Sequence, residues 1–322
     1  MLKKFLRKTS YVSRYNYGRD IVDLGEYVIS YGSNCTLECE YCYLRFVKVP
    51  NKAIVYEVDL NKLTSELEVI FSNGKENVLY FNCGETTDSF LTTEHIKFAE
   101  MIVEKLLVFS RKYSKKVYIE FRTKTKNASL LNFGKGLGLV VPVYAISLLP
   151  EGIRKFVERN SLSTSERIED LASLVESGNV VGIRVEPIIV YDGYVGGGVK
   201  LENFLSEYNK MFMELSEKLR NNYDKIHSIS LSVLRFTKNQ FKRLLEEKSK
   251  LIFPEMVVCP DGKYRYSRPL RVFIYSKLID FLRKGFGDEI LGKICLACEF
   301  DYIWKSCNLK IKRMIDFSDV LL

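Results

Sequence analysis

The chain has 322 residues, 47% of them hydrophobic, so it can bury a large core, and one α/β barrel of ordinary size would account for most of it. Lys and Arg outnumber Asp and Glu by 49 to 40, and the formal charge of +9 suits a polyanionic partner such as nucleic acid as well as a merely solvated surface. No apolar run has the length of a signal peptide or the ~18 residues of a membrane span, so a cytoplasmic protein without membrane contact is expected. Eight cysteines in a reducing compartment point to metal or redox chemistry, and with only His95 and His227 present, histidine-based catalysis is not expected.

Residues 1–25 read as a basic, aromatic N-terminal segment. Apolar runs then alternate with amphipathic ones, the pattern of parallel βα units. Strands are expected at Glu26 to Ser30, Val78 to Asn82, Val117 to Thr123, Val140 to Leu148, Val181 to Val190 and Ile229 to Phe236. Helices are expected at Asn61 to Phe71, Thr93 to Arg111, Thr164 to Ser177 and Leu201 to Asn221, with Thr92-Thr93-Glu94 and Ser163-Thr164 as N-caps. Six such units make an α/β fold, a partial (β/α)6 TIM-type barrel over 26–252, whose chemistry belongs on the loops after the strands. The distinctive residues do fall there. Phe133 to Leu139, FGKGLGL, lacks the spacing of a phosphate loop and reads as a turn. From about Phe253 the alternation weakens, Pro254, Pro260 and Pro269 intervene, and 253–322 reads as a cysteine-rich, DNA-binding extension.

Cys35, Cys39 and Cys42 lie on one loop after the first strand. Three thiolates can hold three irons of a 4Fe-4S cubane, leaving the fourth iron for an outside ligand. A structural zinc would need a fourth protein ligand nearby, and no Cys or His occurs between Cys42 and Cys83.

The spacing Cys-x3-Cys-x2-Cys, with Tyr41 before the third cysteine, resembles the signature of the radical SAM superfamily. The resemblance implies that S-adenosylmethionine chelates the open iron and is cleaved reductively to methionine and a 5′-deoxyadenosyl radical, with an external one-electron donor of flavodoxin or ferredoxin type. It further implies that Tyr41 packs near the adenine, that Gly84-Glu85 receives the methionine ammonium, and that Ser147 meets the ribose. Several stretches are similar to the spore photoproduct lyase family in particular: Tyr41-Cys42-Tyr43-Leu44, Gly84-Glu85-Thr86-Thr87-Asp88-Ser89, Thr123-Lys124-Thr125, Val185-Glu186-Pro187-Ile188-Ile189, Asp261 to Arg271, and Trp304 after Cys298-Glu299. In that family the radical abstracts hydrogen from a thymine dimer of the spore photoproduct type, a cysteine returns hydrogen to the product, and tyrosines relay the radical. By this resemblance Cys83 is the candidate donor, Tyr41 and Tyr43 are the relay tyrosines, and Lys124 meets the cofactor carboxylate. A small buried cysteine at a strand end is the plainer reading of Cys83.

Lys263-Tyr264-Arg265-Tyr266 alternates cations and aromatics, a composition that grips phosphates and stacks on bases, and reads as a hairpin strand. The resemblance places Arg265 and Tyr266 in the gap left by an extruded dimer, with Arg268 and Arg271 on the backbone; a charged edge strand is the alternative. Cys259, Cys295, Cys298 and Cys307 suffice for a second 4Fe-4S cluster or a zinc site, or are simply buried. The leading expectation is a monomeric radical SAM lyase repairing thymine-type lesions in DNA. The alternatives are a radical SAM enzyme modifying RNA or a peptide with an auxiliary cluster, and a nucleic-acid-binding iron-sulfur protein without radical chemistry.

Overall fold

A computed structural model describes residues 3–47, 54–126, 128, 133, 137–190, 201–253 and 255–320. In chain order its strands and helices are β1 (Lys3–Leu6), β2 (Val12–Arg14), β3 (Glu26–Ile29), β4 (Gly32–Ser33), β5 (Ile54–Glu57), α1 (Leu60–Asn73), β6 (Val78–Cys83), α2 (Thr93–Tyr113), β7 (Lys116–Thr123), β8 (Val140–Ser147), α3 (Glu151–Val157), α4 (Thr164–Glu176), β9 (Val180–Ile188), α5 (Leu201–Leu219), β10 (Ile226–Val233), β11 (Arg235–Phe236), α6 (Lys238–Glu246), β12 (Met256–Val258), β13 (Tyr264–Tyr266), α7 (Arg268–Phe286), β14 (Ile294–Leu296) and α8 (Asp301–Ser306).

The main sheet runs β14-β10-β9-β8-β7-β6-β3-β2 and curls into a partial barrel. Its neighbours pair in parallel from β3 to β14, and only β2 joins antiparallel. All six expected barrel strands are present. The expected sixth strand divides into β10 and β11 because the chain leaves the sheet after Val233, and β11 pairs with the β12–β13 hairpin instead. The sequence set 253–322 apart as an extension, yet β14 continues the parallel sheet beside β10. A three-residue strand gives too short an apolar run to be legible.

Helices cover the outer face through apolar residues one turn apart: Leu63, Leu67 and Phe71 on α1; Ile102, Leu106 and Phe109 on α2; Phe204, Tyr208, Leu215 and Leu219 on α5. Each such side chain fully buried is worth roughly 1.5–3 kcal/mol. Ser163 caps α4 in a capping box with Glu166, as its sequence position implied. Thr92 does not cap α2; its hydroxyl sits 2.8 Å from His95 Nδ1. Residues 134–136 of the Phe133–Leu139 turn lie outside the described residues. Among the described residues no helix is long and apolar enough to cross a membrane.

Along the central strands side chains alternate between the helix layer and the barrel interior. Leu79, Phe81 and Cys83 of β6 share the outer face, where Phe81 stacks near Phe71 of α1. The inner face carries Tyr80, Asn82, Glu120, Arg122, Arg184 and Glu26, tied to one another: Asn82 donates to Glu26 at 3.0 Å, Arg122 to Glu120 at 2.5 Å, Arg184 to Glu120, and Tyr80 to Glu120. This interior is charged rather than oily, and it forms the floor of the cavity described next.

Candidate active site

A cavity of about 710 Å³ opens at the carboxyl ends of the strands. Cys35, Cys39, Cys42, Tyr41 and Tyr43 line it together with Gly84, Glu85, Lys124 and Ser147, which come from the ends of β6, β7 and β8. Parallel strands bring these residues to one end because every strand finishes on the same side of the sheet.

The cysteine loop is shaped by its backbone. Asn34 and Glu38 adopt left-handed conformations, at φ 64° and 52°, and Cys42 N donates to Cys39 O at 3.0 Å. Glu40 N reaches Val157 O at 2.9 Å and pins the loop to the end of α3. Burial pushes the thiol of Cys35 up to about 12 and that of Cys39 to about 11, and raises Cys42 as well; backbone N–H groups of Leu37, Asp88 and Leu44 and the charge of Lys124 work in the opposite direction. Three thiols, Cys39 buried and Cys35 and Cys42 half-buried, that resist ionisation on their own yet receive N–H donors and a nearby ammonium match a donor set completed by cationic iron. Among the described residues no three His, Cys, Asp or Glu side chains converge on a single ion. A cubane does not require that, since each thiolate binds a different iron.

Lys124 stands beside this loop. Its Nζ lies 3.6 Å from Cys39 Sγ and 2.8 Å from Glu158 Oε1, and it also donates to the Tyr41 hydroxyl. Burial alone would raise Glu158, but Lys124 and Arg167, the latter at 2.5 Å, hold it well below the usual carboxylate range. Asp88 fixes the backbone behind Lys124, accepting from Lys124 N at 2.7 Å and from the Thr123 hydroxyl at 2.8 Å. Tyr43, 42% exposed, points its hydroxyl at Glu85 O, 2.9 Å away. Glu85 itself pairs with Arg122; burial raises its carboxyl while Arg122 pulls it back down. Gly84 has φ +102°, and a Cβ there would lie 2.8 Å from Arg122 Cβ, so only glycine lets this turn pass the β7 backbone.

Three expectations need correction. Cys83 does not open onto the cavity: it is 0% exposed, on the helix-facing side of β6, and burial drives its thiol far up. Strand parity is the reason, since Gly84, one residue on, is the position that faces inward. Arg265, Tyr266 and Arg271 are also buried. Arg265 holds Asp261 through two bonds of 2.6 and 2.8 Å, the Tyr266 hydroxyl accepts from Val190 N at 3.0 Å, and Arg271 pairs with Glu299 at 2.5 Å. The hairpin strand is present, but these three side chains face the protein. Arg268 is exposed, and Lys263 lines the cavity.

The four late cysteines do not gather. Cys295 neighbours Ser230 at 3.7 Å, Cys298 the Tyr15 hydroxyl at 3.9 Å, and Cys307 the Ser276 hydroxyl at 4.0 Å, while Cys259 sits at the β12–β13 turn. The charges that most affect Cys295, Cys298 and Cys307 come from Arg, Glu and Lys side chains rather than from one another. They are buried one by one. Each occupies a different packing environment, which a count of cysteines cannot reveal.

Sequence reasoning passed over Arg122, Arg184, Glu158 and Arg235. Arg122 and Arg184 left a signal, being charges at alternate positions with Glu120 and Glu186 inside apolar strand runs. Glu158 left none; only the path of α3 brings it to Lys124.

A family profile described as spore photoproduct lyase matches residues 22–269. A protein named spore photoproduct lyase from Clostridium acetobutylicum is 22% identical over 233 residues, which are 72% of this chain and 62% of that protein. The fold is similar to a solved spore photoproduct lyase complexed with dinucleoside spore photoproduct, with a TM-score of 0.72 and 18% identity over 93% of this chain and 82% of the other. It is similar, at a TM-score of 0.69 with the same identity and coverage, to a mutant lyase with bound AdoMet and dinucleoside spore photoproduct. The profile spans most of the barrel and the hairpin that follows it, and the chain therefore belongs to the spore photoproduct lyase family.

Proposed function

We propose that this protein is a radical SAM lyase that repairs thymine lesions of the spore photoproduct type in DNA. The observation that carries the reading is the meeting of Cys35, Cys39 and Cys42 with Tyr41, Tyr43, Gly84-Glu85, Lys124 and Ser147 around one cavity. A 4Fe-4S cluster held by the three thiolates supplies, with S-adenosylmethionine, a one-electron cleavage that yields a carbon radical.

The chain's own residues prepare the surroundings. Lys124, held by Glu158 and Tyr41, presents a fixed ammonium for a carboxylate, and the Asp88 contacts prevent its backbone from drifting. The Gly84 turn brings Glu85 to the cavity, where its charge is balanced by Arg122 and available to an ammonium. Tyr43 is the phenol most open to a substrate, while Tyr41, which also lines the cavity, has its hydroxyl held by Lys124 and Glu158. Family membership and the likeness to lyases solved with dinucleoside spore photoproduct support the substrate class.

The test is anaerobic incubation of the iron-reconstituted protein with S-adenosylmethionine, a reductant and DNA carrying the lesion. Restored thymine together with 5′-deoxyadenosine is expected, with about four irons per chain. Cofactor cleavage without thymine would overturn the substrate, and no 5′-deoxyadenosine would overturn the radical chemistry.

A further inference from the structure

The cavity has a second wall, away from the cysteine loop. Arg235 of β11, Thr237, Asn239 and Gln240 at the start of α6, and Lys263 before β13 all line it. The buried arginines elsewhere in the molecule are paired: Arg167 with Glu158, Arg184 with Glu120, Arg265 with Asp261 and Arg271 with Glu299. Arg235 differs. Its guanidinium donates to Ser232 Oγ at 3.3 Å, and among the described residues it forms no ion pair. Burial works against its charge, and Cys298 and Tyr15, then Glu186 and Glu85, favour it, but Glu85 is bound to Arg122 and Glu186 to the Ser230 hydroxyl. Lys263 Nζ stands 4.0 Å from Asp261, whose two oxygens are already taken by Arg265.

Two cations thus share a wall whose one nearby carboxylate, Asp261, sits at 4.0 Å from Lys263 and is held by Arg265. Burial, and next the charge of Arg235, push the Lys263 ammonium down from its ordinary value, while Cys298 and Asp261 act the other way. An anion placed between the two cations would offset their repulsion, and a guanidinium fork with a lysine point charge is the usual chemistry for phosphate. The amino-terminal end of α6 adds a favourable dipole from the same side. Because this wall belongs to the cavity that holds the cysteines, the anion it takes must be part of the reacting molecule rather than of distant duplex.

We propose that Arg235 and Lys263 form the subsite for the phosphodiester that bridges the two nucleosides of a dinucleotide lesion. The proposal rests on the function proposed above and adds a determinant that tells a lesion with its bridging phosphodiester from the dinucleoside lesion that lacks it. It is tested by measuring the affinity of the full chain, with S-adenosylmethionine present, for spore photoproduct dinucleotides bridged by a phosphodiester or by an uncharged methylphosphonate. The native protein is expected to prefer the charged bridge by about tenfold or more, in the range of one charge-assisted contact. Arg235→Gln and Lys263→Gln should each shrink that ratio, Arg235→Gln to within about twofold of unity, and Arg235→Lys should restore part of it. Equal affinity of the native protein for both bridges would overturn the subsite while leaving the lyase reading intact. A ratio unchanged by Arg235→Gln would also overturn it, and failure to bind either dinucleotide would overturn both.

Discussion

Cys83 shows how much one residue of parity decides. It ends β6 next to the glycine that turns into the cavity, yet its thiol packs in the core, near Tyr31 and away from solvent. Cys83→Ala is therefore expected to cost about 1 kcal/mol in chemical denaturation and to leave the yield of repaired thymine unchanged. A changed product distribution would return Cys83 to the chemistry. Gly84 is the more sensitive neighbour. Gly84→Ala forces a left-handed backbone on a Cβ that meets Arg122, so a loss of about 1–3 kcal/mol is expected, together with weaker S-adenosylmethionine binding as Glu85 is displaced. Isothermal calorimetry and denaturation with the same variant separate the two effects.

Among the elements, the β12–β13 hairpin carries the largest change of meaning. Its alternating Lys263-Tyr264-Arg265-Tyr266 pattern is legible as a strand, but alternation does not say which face meets solvent. Pairing with β11 turns Arg265 towards Asp261 and Tyr266 towards the loop after β9, leaving Lys263 on the cavity. Arg265→Ala removes one partner of a buried pair and strands the Asp261 carboxylate, for which a loss of about 3 kcal/mol is expected. If Arg265 instead contacts DNA, the same variant will unfold at the native denaturant midpoint and lose affinity. Helices α1, α2, α4 and α5 were legible within a few residues because their apolar stripes repeat over several turns, whereas α7, 19 residues long, went unread inside the stretch taken as an extension. The short strand β14 and helix α3 were not, since three to seven residues carry too little periodicity.

The molecule as a whole buries both of its histidines. Burial lowers His95 to about 4, with its ring held between Thr87 and Thr92, and lowers His227 to about 3 beneath the barrel near Tyr80 and Phe317. Both stay neutral in the folded protein through a range where the unfolded chain takes up protons, near 6.5 and below. Their contribution to stability is complete above about pH 6.5 and is lost as pH falls from there towards 4. Denaturant midpoints are therefore expected to drop between pH 7 and pH 5, and the double variant His95→Gln, His227→Gln should flatten that slope. A slope unchanged in the double variant would assign it to the carboxylates instead.

The amino-acid sequence by itself determined the βα alternation, the cysteine loop and the approximate ring of residues at the strand ends. Those depend on local periodicity and on short spacings that survive whatever the rest of the chain does. Only the tertiary structure decided which charges face inward, that Cys83 is sealed, that Arg265 and Arg271 are spent on Asp261 and Glu299, and that the four late cysteines stand apart. These outcomes turn on pairings between residues far apart in the chain, such as Lys124 with Glu158 and Arg235 with the cavity it shares with Lys263, and no local pattern encodes which distant partner a side chain will meet.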